Sequence, residues 1–198
     1  AGLSGMYAYP GTPSTEIMEY VQASEEAAER GVHREWSANE KTAYEAALGM
    51  SYAGKRAMVA MKHVGLNVAA DSFINSAITG VNGGLIVVAA DDPSMHSSQN
   101  EQDSRFYSLL SFVPILDPSD PMDTKKLVKL AFEISEETQI PVIVRSTTNV
   151  AHTTGIVECE EYHDYSSEKS FDFKKDIPGY TTVLADRESQ RRMLIEKG

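Results

Sequence analysis

Leu85-Ile-Val-Val-Ala-Ala90 is the longest apolar run in the chain, and no polar residue interrupts it. A strand written this way must be covered on both faces, as happens in parallel sheets whose crossover helices pack above and below. It is far too short to cross a bilayer as a helix. Around it, short apolar segments alternate with stretches of helical repeat through the first three quarters of the sequence. That alternation predicts an α/β fold, a doubly wound and mostly parallel sheet with helices on both faces.

The expected elements follow in order. Gly5 to Ala8 reads as a first strand, followed by a helix that Thr12 can cap, with Pro13 at the first helical position and Gly31 as its left-handed stop. Ile17 and Val21 are expected to face inward, and His33 to Trp36 to form a second strand. Asn39 caps a helix running to Gly54, with a small inner face of Ala43, Ala46, Ala47, Gly49, Met50 and Ala53. Ala57 to Met61 is the next strand, and Gly65 to Ala77 a helix with Leu66, Ala69, Ala70, Phe73 and Ala77 on one side. After Leu85 to Ala90 come a helix somewhere between Gln99 and Leu110, a short strand at Ile115 and Leu116, and a helix opened by Asp120-Pro121 that carries Leu127, Leu130, Ala131 and Ile134. Val142 to Val144 closes the sheet.

Beyond about Asn149 the periodicity fails, so residues 1–148 read as one α/β domain and 149–198 as a connector and the start of a following region. Glu158 to Asp176 is polar and charged, and Glu188 to Lys197 reads as a short helix belonging to what comes next. The first residue is not methionine and the last ones carry no cap, which suggests a piece of a longer polypeptide.

Acids outnumber bases 29 to 18, for a formal net charge of −11, and such a surface repels phosphate backbones. Cys159 is the single cysteine, so neither an internal disulfide nor a four-thiolate iron–sulfur cluster can be housed here. With no signal peptide and no apolar span, the chain is expected to be cytoplasmic, with no nucleic-acid and no membrane partner.

Some motifs are decoys. Gly49-Met-Ser-Tyr-Ala-Gly54-Lys55 nearly spells a phosphate loop, but Arg56 stands where a hydroxyl is required, and the run leaves a helix for a strand, the reverse of that motif. The dinucleotide fingerprint, zinc-ligand spacings and the nucleophile elbow are all missing, so no metal site is expected. What is left is a set of polar groups where strands end and helices begin, the edge at which open parallel sheets bind ligands. Glu40 can be read as an acid that favours a helix dipole or as a ligand-facing carboxylate. His63 can be a half-buried structural histidine or face a ligand. Thr12, Ser14 and Thr15 can be caps. Asp91-Asp92-Pro93 can be a self-bonded turn, and Ser97 to Asp103 a solvated or a binding loop.

Taken together, Tyr9-Pro-Gly-Thr-Pro-Ser-Thr15, Asn39-Glu40-Lys41, Ser51-Tyr-Ala-Gly54, Met61-Lys-His-Val-Gly-Leu-Asn67 with the residues on to Asp71, Ala89-Ala-Asp-Asp-Pro93 and His96 to Asp103 closely resemble the alpha subunits of the indolepyruvate:ferredoxin oxidoreductase family, within the 2-oxoacid:ferredoxin oxidoreductases. The resemblance runs from about Tyr9 to His152. It implies the pyrimidine-binding domain of a thiamine-diphosphate enzyme that oxidatively decarboxylates aryl 2-oxoacids to acyl-coenzyme A, with ferredoxin as electron acceptor. A glutamate at the position of Glu40 then contacts N1′ of the aminopyrimidine, and Gly65 belongs to the same cofactor site. Magnesium, the diphosphate motif of Gly-Asp-Gly type and the iron–sulfur clusters are expected in the rest of the alpha subunit, and a second subunit completes the enzyme. If the strand ends converge on one crevice, Thr12, Ser14, Ser98 and Arg105 could hold the substrate, and His63 could hydrogen-bond its carbonyl oxygen. Two alternatives stay open: a relative acting on another 2-oxoacid, and a binding or assembly module that keeps the fold without the chemistry.

Overall fold

The computed structural model describes residues 1–161 and 187–197. One parallel sheet contains β1 (Gly5–Ala8), β2 (His33–Trp36), β3 (Ala57–Lys62), β4 (Leu85–Asp91), β5 (Ile115–Leu116) and β6 (Val142–Thr147), in the spatial order β2-β1-β3-β4-β6-β5. Between them run α1 (Thr15–Ala23), α2 (Glu25–Glu29), α3 (Glu40–Tyr52), α4 (His63–Thr79), α5 (Arg105–Ser111) and α6 (Pro121–Thr138). A short α7 (Thr148–Ala151) follows the last strand, and α8 is Arg187–Lys197. The doubly wound sheet expected from the alternation is the fold that forms. No helix among the described residues is long and apolar enough to cross a membrane.

Strand alternation divides the core into two layers. Met6, Ala8, Met58, Ala60, Ile86, Val88, Val142 and Val144 share one layer with Met18 of α1 and Ala131 and Phe132 of α6. Tyr7, Val59, Met61, Val87, Ala89 and Ile143 share the other with Ala43, Tyr44 and Ala47 of α3 and Leu66, Ala69 and Phe73 of α4. Every residue of β4 is buried, as an uninterrupted apolar strand requires. On the second layer, α3 and α4 are also joined by hydroxyls. Tyr44 Oη lies 2.5 Å from Ser76 Oγ, and Ser72 Oγ donates to Glu45 at 2.7 Å. Burial pushes the Tyr44 hydroxyl far above its usual range, so it stays a neutral hydrogen-bonding group.

Several expectations change in detail. The single helix expected before Gly31 is broken at Ser24, whose extended backbone and side-chain bond to Ala27 N start α2. Ile17 and Val21 pack partly buried against the core as expected, and Met18 between them is the fully buried residue of α1. The inner stripe of α3 is Ala43, Tyr44, Ala47 and Ser51, while Gly49 and Ala53 are exposed. Small size alone misjudged that stripe, because Tyr44 and Ser51 enter the core with their hydroxyls satisfied. Leu130 is exposed on α6. Helix α4 begins at His63 with no intervening loop, and β6 runs on to Thr147. Most of the polar stretch from Glu158 to Asp176 lies outside the described residues. Helix α8, expected to belong to a following region, lays Leu194 into the α3–α4 layer of the core.

Candidate functional site

From β1 the chain turns toward β2, and from β3 it turns toward β4, so the two connections part between adjacent strands. The crevice outside the carboxyl ends of strands at such a reversal is where open α/β sheets place ligands. Strand register brings Lys62 level with Ala90, and Ala90 level with Ser146, so the ends of β3, β4 and β6 present their next residues at one edge.

Glu40 owes its place to a cap. The Asn39 side chain accepts from Thr42 N at 2.9 Å, and Thr42 Oγ1 accepts from Asn39 N at 3.1 Å. This reciprocal pair fixes the first turn of α3, with Glu40 as its first residue. The side chain then reaches the first turn of α4, where a Cβ on residue 65 would lie 2.6 Å from both Cγ and Oε1 of Glu40. Only glycine allows that approach. Among the described residues no side chain hydrogen-bonds or pairs with the Glu40 carboxyl.

His63 is the first residue of α4 and is 1% exposed, and neither ring nitrogen has a hydrogen-bond partner. Each such buried group costs about 1–3 kcal/mol. Buried polar atoms left in this state are uncommon and call for an explanation. Lys62 before it bonds through Nζ to the Ser97 carbonyl at 2.5 Å, tying the end of β3 to the segment after β4. Gly11 in the β1 connection also comes close to Lys62, since a Cβ there would be 3.1 Å from Lys62 Cβ.

The β1 connection holds itself together. Thr12 does not cap α1, which begins at Thr15, and the Thr12–Pro13 peptide is cis. No side chain caps α1, and the turn bonds to itself: Gly11 N donates to Thr15 Oγ1 at 2.9 Å, and buried Ser14 donates its hydroxyl to the Gly11 carbonyl at 2.6 Å. Thr12 is left exposed, whereas the Ser14 hydrogen is committed within the turn.

After β4, the two aspartates do more than bond to their own turn. Both are 0% exposed. Asp92 accepts from His96 N at 3.2 Å, Ser97 N at 2.7 Å and Ser98 Oγ at 2.5 Å. The bond from the Ser98 hydroxyl is the main cause that holds the Asp92 carboxyl below its usual range. Asp91 accepts from Ser104 N at 3.0 Å, from Ser104 Oγ at 2.5 Å and from Arg145 Nε at 2.6 Å. Arg145 also donates to Asp117 at 2.8 Å. Sequence reasoning missed Arg145, although a base directly after the apolar run Val142 to Val144 was a signal that a buried acid must lie beside it.

Arg105 opens α5 with its side chain 58% exposed, and its guanidinium forks onto Asp103, with Nε–Oδ1 2.9 Å and Nη2–Oδ2 2.5 Å. That bond holds the Asp103 carboxyl down to about 2. The structure thus brings Glu40 and Gly65 together. It also brings Thr12 into one cleft of about 520 Å³ with His96 and Ser97 from the β4 segment and Thr148, Asn149 and His152 from beyond β6. Ser14, His63, Ser98 and Arg105 do not line that cleft, nor do Glu40 and Gly65.

A family model described as pyruvate flavodoxin/ferredoxin oxidoreductase, thiamine-diphosphate-binding, matches residues 1–190. An indolepyruvate oxidoreductase subunit IorA from Pyrococcus abyssi is 49% identical over 98% of this chain and 30% of its own length. The subunit of the same name from Thermococcus kodakarensis is 46% identical over 100% of this chain and 31% of its own length. This chain therefore spans about a third of the relatives it matches. Among solved structures, a 2-oxoglutarate:ferredoxin oxidoreductase from Magnetococcus marinus, with 2-oxoglutarate, coenzyme A and succinyl-CoA bound, superposes with a TM-score of 0.75 at 21% identity, over 99% of this chain and 41% of that one. At that identity the likeness concerns the fold.

Proposed function

The chain belongs to the pyruvate flavodoxin/ferredoxin oxidoreductase family of thiamine-diphosphate-binding domains, and on that premise we propose that residues 1–148 hold the aminopyrimidine half of thiamine diphosphate in an enzyme that oxidatively decarboxylates aryl 2-oxoacids of the indolepyruvate kind. The names of the IorA relatives support this substrate class. The observation that carries the cofactor reading is the Glu40 carboxyl, unpaired by any described side chain and lying against a glycine that leaves it room.

The donor set fits the group. An aminopyrimidine presents a ring nitrogen that a carboxyl can bond, and an acid held by a capped helix turn is already oriented for it. When bound, thiamine diphosphate supplies the nucleophilic carbon and the electron sink for decarboxylation. Glu40 holds and shares the proton at N1′. Gly65 keeps the approach to Glu40 clear. His63, desolvated and unpaired, offers a ring N–H to the substrate carbonyl oxygen, where negative charge grows. Thr12 supplies a hydroxyl from the neighbouring connection.

Ser14, Ser98 and Arg105 keep a supporting part in this reading: their donors stabilise the β1 turn and the segment after β4 that surround the substrate. The diphosphate, its magnesium ion and the iron–sulfur clusters belong to polypeptide beyond residues 149–198 and to a second subunit. Coenzyme A and ferredoxin are the acyl and electron acceptors, and the enzyme is cytoplasmic.

Glu40→Gln in the full-length subunit, assembled with its partner, tests the proposal. Deuterium exchange at the thiazolium carbon, read by NMR after acid quench, should slow by about two orders of magnitude, the scale of general acid–base catalysis. Circular dichroism should stay as in the unaltered protein. An unchanged exchange rate removes Glu40 from the chemistry.

A further inference from the structure

We propose that the cleft between the carboxyl ends of β1, β4 and β6 seats the carboxylate of the 2-oxoacid, and that His96, His152 and Thr148 recognise it. The inference rests on the 2-oxoacid reading above and replaces the cation first expected to do this work. Arg105 is forked onto Asp103, Arg145 is shared between Asp91 and Asp117, and Lys62 Nζ is taken by the Ser97 carbonyl. The two guanidiniums of this edge are thus paired with carboxylates of the protein, and Lys62, which keeps further N–H donors, does not line the cleft.

The cleft offers a different set of donors. Thr12 and Thr148 present hydroxyls with no side-chain partner among the described residues, Asn149 an amide, and His96 and His152 imidazoles. No carboxylate of the described residues lines it, although the chain carries a formal net charge of −11. An oxyanion entering there meets N–H and O–H groups without meeting a like charge. Both walls are held by hydrogen bonds within the protein. Asp92 holds the amides of His96 and Ser97, and Lys62 holds the Ser97 carbonyl. On the other side, His152 N donates to Thr148 O at 3.0 Å. Such preorganisation lowers the cost of ordering donors on binding. Gly11, beside Thr12, packs on Lys62, directly before the helix turn that receives Glu40. Substrate head and cofactor acid therefore meet at the same sheet edge. A phosphate group shares the oxyanion chemistry, and the experiment separates the two.

The test uses the full-length subunit with its partner, carrying His96→Ala, His152→Ala or Thr148→Val. The KM for indole-3-pyruvate should rise roughly tenfold for each histidine variant and less for Thr148→Val, with kcat little changed. Thiazolium-carbon exchange, which needs no substrate, should keep the unaltered rate. His152→Gln, which retains an N–H donor of similar reach, should recover most of the loss, and it also decides the matter if the alanine variant fails to fold. Unaltered KM values in all three variants overturn the assignment. A raised KM for coenzyme A with an unaltered KM for indole-3-pyruvate also overturns it, since the oxyanion would then be a phosphate. An unaltered enzyme that turns over no 2-oxoacid at all defeats the underlying reading, a result distinct from either of these.

Discussion

The two faces of the sheet are built by different means. On the α1–α6 face, Met18, Ala131 and Phe132 close over Met6, Met58, Ile86 and Val142 through apolar contact. On the α3–α4 face the helices approach closely and bond to each other: Tyr44 to Ser76, Ser72 to Glu45, with Glu40 against Gly65. Apolar packing tolerates small shifts, because dispersion is spread over many weak contacts. Hydrogen bonds and a sub-ångström steric margin do not. The face that carries Glu40 therefore adds interhelical bonds that fix position to an apolar cluster of its own.

Four measurements would break or sharpen this contrast. Phe132→Ala empties a buried site on the apolar face and should cost about 3–5 kcal/mol, read as faster hydrogen exchange of β4 and β6 amides in the full-length protein. Thiazolium-carbon exchange should remain unaltered in that variant, and a parallel loss would mean that the faces are not separable. Gly65→Ala should do the opposite. The added methyl displaces the Glu40 carboxyl, so exchange should fall about a hundredfold with little loss of stability. If stability drops while exchange holds, Gly65 serves packing only.

His63→Leu should raise stability by about 1–3 kcal/mol, because it removes two buried unpartnered nitrogens from an apolar setting, while kcat/KM falls. Loss of both would assign His63 a structural partner instead. The smallest effect concerns pH. Bonds from Ser98 and from Arg105 depress the Asp92 and Asp103 carboxyls respectively, so their contribution is present above the ordinary carboxylate value of 3.8. It is lost as pH falls through the lowered value, about 2 for Asp103. Amide exchange at His96 and Ser97 should stay protected at pH 4 and accelerate as pH falls below the ordinary carboxylate value and through the lowered one of Asp92, whereas Asp92→Asn should show fast exchange already at neutral pH. Equal protection in the variant would show that Lys62 alone holds the segment.

Much of the frame was legible in the residues. The apolar run at Leu85, the Asn39 cap, Asp120-Pro121 and the small-to-apolar stripe of α4 are local signals, set by backbone preference and burial period, and they placed the strands and most helix starts within a few residues. Glu40 was singled out by its motif, and its position at the start of α3 needed only the cap. Thr12 was misjudged as a cap because the hydroxyls of that turn bond within the turn, Thr15 to Gly11 N and Ser14 to the Gly11 carbonyl, and none caps the helix.

The remaining questions turned on neighbours far apart in the chain. That a side chain at residue 65 would meet Glu40, that Arg145 is neutralised by Asp91 and Asp117, that Arg105 is already engaged by Asp103, and that His63 is buried without a partner among the described residues are facts of three-dimensional placement. The sequence alone determined the sheet, its helices and the acid at the head of α3, since local propensity and hydrophobic period act over a few residues at a time. Only the tertiary structure decided which polar groups satisfy one another and which are left without a partner among the described residues. Hydrogen bonds and ion pairs depend on distances of a few tenths of an ångström between residues up to eighty positions apart, as Arg56 and Glu136 are, and no periodicity encodes them.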